Sequence, residues 1–286
     1  MIYYLLLAVS IILTVVKSSL YNNYAKTETP DRAGIFTFNA ICYGGALAMS
    51  LFFGLRGLPS VYTLVCALFY AAVVCSMQGL TVYAMKIGPM SLTALISLYG
   101  MIIPTISGPL FWKGEYFTPL KVCGIAVMLI SMWMLSNVKK EETANRKWLL
   151  VVIPVFFLSG FAGLVEKIHQ STPGRDERAV FLFVAYFIML IISTVGRFTI
   201  HGEKKKLSIK NVVITGVVCG IITGFYAFTN LTLAGKLDSV VYYPVANGGA
   251  LILTILVSIV IFKEKCTKKQ LAGIILGLSS VLMLSF

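Results

Sequence analysis

Two stretches of this chain read nearly alike: EYFTPLKVCGIAVMLISMWMLS at 115–136 and EKCTKKQLAGIILGLSSVLMLS at 264–285. Moved by 149 positions (264 − 115), the first places Glu115, Thr118, Gly124, Ile125, Leu129, Ser131, Met134, Leu135 and Ser136 on identical residues of the second. The same offset sets Ala67, Ala71 and Cys75 on Gly216, Gly220 and Gly224, small residues at the i, i+4, i+8 spacing of one helix face. Gly100 falls on Gly249 and Thr105 on Thr254. Further upstream the register slips by three, and Asp31-Arg32-Ala33 meets Glu177-Arg178-Ala179. The chain is therefore read as a duplicated unit.

Composition says where that unit lives. Hydrophobic residues make up 58% and charged residues 12%, with a mean hydropathy of +0.89, outside the range of soluble proteins. Ten apolar stretches are close to the length that spans a bilayer. They cover 2–22, 34–54, 61–83, 89–111, 118–137, 148–168, 179–199, 209–233, 239–262 and 268–286. The first lacks a basic leader and a small-residue cleavage site, and its counterpart stands at 148–168, so it is read as a retained helix. The expected fold is an all-α integral membrane protein. Ten transmembrane helices form two five-helix repeats, 1–137 and 148–286, joined by a polar linker at 138–147. Five is odd, so the second copy enters from the opposite face, which makes an inverted repeat.

The net charge of +13 reports basic loops and not nucleic-acid binding. Loops after the odd-numbered stretches carry sixteen basic residues, against seven after the even-numbered ones, which argues for both termini outside. The six cysteines are scattered and form no CxxC pair, and the two histidines are isolated, so no metal and no cofactor is expected. Neither a nucleotide-binding loop nor a hydrolase or metalloprotease motif is present. The chain is not read as an enzyme, and transport would run on a gradient or by exchange.

Several further features repeat. A short link, Ala84-Met85-Lys86-Ile87-Gly88-Pro89, matches Ala234-Gly235-Lys236-Leu237-Asp238-Ser239. A helix ending at Lys113-Gly114-Glu115 matches one ending at Lys263-Glu264, and Gly124 and Gly273 lie near the start of the helices that follow. On these residues the chain resembles the drug/metabolite transporter superfamily in its ten-helix, EamA-like form, over essentially its whole length. That resemblance implies a central cavity walled by stretches one to four and six to nine, with the fifth and tenth at the periphery. It implies an exporter, and termini in the cytoplasm, opposite to the basic-loop count. Short loops point to a bacterial inner membrane.

Polar side chains on the cavity stretches are the candidates for substrate contact, because a polar group in hydrocarbon is costly unless it is used. They are Lys17, Asn39, Tyr43, Gln78, Tyr99, Tyr186, Tyr226, Asn230, Tyr243 and Asn247. Glu166 equals Lys17 plus 149, and the two are read as a pair able to meet a zwitterion or to open with a proton. Glu166 is also ~28 Å along its helix from Lys147, near the edge of the hydrocarbon core, where a side chain can instead reach water. Pro104 and Pro244 are candidate kinks for coupling or gating. The tyrosines at 3, 4, 21, 24 and 116 are read as interfacial anchors. Gly273 and Gly277 form a small-residue face suited to packing within the chain or to a weak homodimer.

The expected function is secondary transport of small organic metabolites, amino acids or related compounds, by alternating access, with membrane lipid as surroundings and a proton as the candidate coupling ion. A multidrug-type organic cation/proton antiporter is the alternative within transport. A non-transporting receptor or assembly factor is the alternative outside it.

Overall fold

The computed structural model describes residues 2–28, 32–55, 57–88, 90–136, 146–172, 176–199, 209–260 and 267–285. Most of the 138–147 linker, the lysine-rich 200–208 segment and the Lys263-Glu264 motif lie outside the described residues.

Among the described residues every regular element is a helix: α1 (Ile2–Glu28), α2 (Arg32–Phe52), α3 (Val61–Ile87), α4 (Met90–Tyr99), α5 (Ile102–Phe111), α6 (Pro119–Leu135), α7 (Arg146–Ser171), α8 (Arg178–Thr199), α9 (Ile209–Ala234), α10 (Ser239–Val260) and α11 (Lys268–Ser285). Eight of the resulting spans are long and apolar enough to cross a membrane, with α4 and α5 counted as one span, Leu92–Phe111. α6 is a shorter apolar helix. Large side chains such as Leu5, Phe52, Phe69, Leu110, Leu150 and Phe198 are exposed on these helices, which suits lipid better than water.

The fourth apolar stretch is not one continuous helix, as its composition suggested. It breaks at Gly100-Met101, where hydrogen bonds tighten to the i→i+3 pattern: Gly100 N–H to Ser97 O, Met101 N–H to Leu98 O and Ile103 N–H to Gly100 O. The cause is one turn downstream. Pro104 has no N–H to give the Gly100 carbonyl, so Ile103 supplies it from a tighter turn. Pro104 thus begins a new helix and does not kink an old one. Pro244, in contrast, lies inside α10.

The residues group into two compact units. One holds 1–11, 76–168 and 233–286, and the other holds 12–75 and 169–232. Each draws on residues from both 1–137 and 148–286.

In the first unit, α6 and α11 pack antiparallel and make the same contact twice. A Cβ on Gly124 would meet Leu284 and Met283, and a Cβ on Gly273 would meet Leu135 and Met134. Adding 149 to 124, 134 and 135 gives 273, 283 and 284, so each contact maps onto the other. Ser131 Oγ bonds Gly273 O at 2.7 Å, and its counterpart Ser280 is likewise fully buried. A second pair behaves alike: Gly100 meets Gly160 across α4 and α7, while Gly249 meets Ile11 across α10 and α1. Again 100 and 11 map to 249 and 160. The Gly273/Gly277 face is filled from within the chain, Gly277 lying against Ile252 and Ser131.

In the second unit α2 packs on α8 and α9. The buried face of α8 runs through Phe181, Ala185, Tyr186, Met189 and Ser193, an i, i+4 stripe. The glycine row of α9 lies against α2: a Cβ on Gly216 would come 2.8 Å from Ile41, one on Gly224 2.6 Å from Met49, and one on Gly45 of α2 3.0 Å from the Gly220 Cα. Here two helix backbones touch, which only glycine permits. Tyr24 is not the interfacial anchor expected. It is 3% exposed, stacks on Phe38 at 3.9 Å and donates its hydroxyl to Gly34 O, because α1 continues past the apolar run to Glu28 and carries Tyr24 into the packing of α2.

Candidate functional site

The expected site residues divide between the two units. In the second unit, Lys17 of α1 sets its ammonium over the ring of Tyr226 of α9, 4.3 Å from the ring centroid. Asn230, 8% exposed, follows Tyr226 by four residues and shares its helix face. Lys17 is also close enough to Cys42 and Cys219 for its charge to act on both thiols, which pack in one buried cluster. Tyr43 of α2 and Tyr186 of α8 stack with centroids 6.1 Å apart, and Asn39 lies half-buried one turn before Tyr43. The helices α1, α2, α8 and α9 therefore carry a cation, two amides, two thiols and three tyrosines within a membrane-spanning region.

In the first unit, several candidates turn out to join helices. The Tyr99 hydroxyl donates to Leu129 O at 2.7 Å, linking α4 to α6. The Tyr243 hydroxyl donates to Gly163 O at 2.7 Å, linking α10 to α7. Asn247 returns its amide to Tyr243 O, one turn back on its own helix. Gln78 of α3 and Glu166 of α7 are half-buried. Lys17 and Glu166 belong to different units.

Two clusters went unseen in the sequence. In the first unit, Lys167 Nζ lies 2.5 Å from Glu115 Oε1, with the two side chains only 6% and 8% exposed. The same ammonium donates to Leu237 O, and Glu115 Oε2 accepts the backbone N–H of Ser239, the first residue of α10. Gly108 leaves room for that carboxylate, since a Cβ there would strike Glu115 Oε2. Lys121 and Asp238 pair beside it at 3.3 Å.

In the second unit, Glu177 Oε2 accepts from the Ser60 hydroxyl at 2.6 Å and from the Ser60 N–H at 3.3 Å, while Ser60 Oγ caps α3 through Thr63 N–H. His169 shares a hydrogen bond with Thr63 Oγ1 at 2.9 Å and stacks on Phe181 at 4.4 Å. In both clusters a carboxylate from elsewhere in the chain sits at a helix start, where free N–H groups and the helix dipole favour an anion. The serines before α3 and opening α10 were the available signal. The acids lie 117 and 124 residues away, which no local pattern reveals.

Among the described residues, no group of three or more His, Cys, Asp or Glu stands close enough to hold a metal ion. The arrangement offers charge, hydrogen bonds and aromatic faces for binding.

A solved structure described only as "Crystal structure of protein" superposes on this chain with a TM-score of 0.79. The match covers 98% of this chain and 95% of that one at 13% identity, which shows a shared fold. No family model matches the chain. No curated protein matches it.

Proposed function

We propose that this chain is a secondary transporter of the drug/metabolite transporter type, moving small organic metabolites such as amino acids across a bacterial inner membrane by alternating access, in the export direction. The observation that carries the reading is the Lys17 ammonium held over Tyr226 inside the apolar helices, with Asn230 one turn away. A charge placed among apolar helices is expensive, and packing alone does not call for it. The contacts repeated at an offset of 149 support an inverted repeat, the architecture that gives two mirror-related states of similar energy.

The organic-cation antiporter is the weaker rival, because the ring of Tyr226 already holds a cation of the protein itself. The non-transporting receptor or assembly factor would have no need of the buried polar groups on α1 and α9.

Counterflow in proteoliposomes tests the proposal. Vesicles loaded with a mixture of unlabelled amino acids should accumulate the matching labelled amino acid faster than protein-free vesicles. Well-folded protein that gives no counterflow with any amino acid, nucleoside or quaternary amine would leave the transport reading without support and favour the receptor reading.

A further inference from the structure

The chain treats its embedded lysines unequally. Lys167 is neutralised by Glu115, and Lys121 by Asp238. Arg178, at the start of α8, is held by Asp176. Lys17 is in none of these three pairs. Its described partner is the face of Tyr226. A ring face offsets part of the cost of burying an ammonium, less than a carboxylate does. It also occupies only one side of the group, and the three N–H donors of an ammonium are free to point elsewhere.

The groups around Lys17 bear on what completes that shell. Cys42 of α2 and Cys219 of α9 are close enough to feel its charge. Tyr226 lies beneath it, and Asn230 extends the polar face of α9. Lys17 takes no part in the ion pairs above, so its ammonium is the charge that this face presents. An organic cation brought to the Tyr226 ring would meet an ammonium already in place, and the low dielectric would strengthen the repulsion.

We infer that the solute bound in the second unit carries an anionic group, a carboxylate being the simplest, which pairs with Lys17. This rests on the transport reading and names the substrate class of that site.

The test is a thermal-shift series on purified full-length protein in neutral detergent, with N-acetyl-leucine, leucine and leucinamide as probes of similar bulk and tetraphenylphosphonium as a larger organic cation. Expected is a rise of about 4 °C with saturating N-acetyl-leucine or leucine, and none with the two cations. Lys17→Met should remove the rise, and Lys17→Arg should keep a good part of it. Stabilisation by leucinamide or tetraphenylphosphonium, or a carboxylate effect that survives Lys17→Met, would overturn the inference and leave the transport reading intact. Stabilisation by phosphatidylglycerol that Lys17→Met abolishes would assign the ammonium to a lipid headgroup and overturn the solute assignment. No response to any of the four probes overturns it too, and if counterflow is also absent the transport reading falls with it.

Discussion

The carboxylate of Glu115 accepts the backbone N–H of Ser239 at 2.8 Å, so the acid that ends one apolar hairpin closes the start of another helix far along the chain. Its second oxygen takes the Lys167 ammonium. One residue of the α5–α6 link thereby fixes the end of α7 and the beginning of α10.

Removing that charge should be costly. Glu115→Gln keeps a carbonyl for Ser239 but leaves Lys167 buried without a counter-charge, and a loss of about 3–5 kcal/mol is expected. Denaturation followed in detergent should show a clearly lower midpoint. Glu115→Gln combined with Lys167→Met should recover much of it, since no lone charge then remains. A double variant no better than the single one would mean that the hydrogen-bond geometry, and not the charge, holds the cluster.

Gly220→Ala should destabilise by about 1–3 kcal/mol through overpacking, because the new methyl meets the Cys42 carbonyl and the Gly45 backbone. Gly79→Ala is the control. Nothing lies within 4 Å of its Cβ position, and alanine is the better helix former, so it should be neutral or stabilising by up to about 1 kcal/mol. Equal melting temperatures for the two variants would contradict the backbone contact of α2 with α9.

Cys42 and Cys219 pack in one buried cluster at the same crossing, and neither is in a disulfide. Diamide should couple them, each thiol giving up a hydrogen as the reagent is reduced to the hydrazine. Peptide mapping should then find residues 42 and 219 joined and protected from alkylation, and Cys42→Ser should leave Cys219 open to it. Failure of wild-type protein to cross-link after prolonged oxidation would place the sulfurs further apart than a disulfide tolerates.

Tyr243→Phe should cost about 1 kcal/mol, the net value of a hydrogen bond, because its hydroxyl ties α10 to Gly163 O. Counterflow by the variant should stay near wild type. A large drop in flux with unchanged stability would move Tyr243 from helix joint to substrate contact.

The helices were legible wherever an apolar run and the duplication spoke together, and α6 and α11 are the clearest instance. Their shared Gly, Ser and Leu positions are the residues that meet between them. The break at Gly100 was harder to see, since Pro104 was recognised but its lost N–H acts on a carbonyl one turn earlier. Tyr24 was misplaced because aromatic residues at the end of an apolar run look alike whether they face lipid headgroups or a neighbouring helix. Tyr43, Tyr186, Tyr226 and Lys17 were legible as polar residues on apolar helices. Glu115 and Glu177 were not, because their roles depend on helix starts that the fold brings to them from more than a hundred residues away.

The contact of Gly124 with Leu284 and that of Gly273 with Leu135 are one arrangement written twice in a single molecule. Each position therefore comes with its own twin as a built-in reference. A methyl added at residue 124 can be compared with the same methyl at 273, in the same membrane and at the same temperature. Any inequality between the two reports how far the surroundings of the two positions differ.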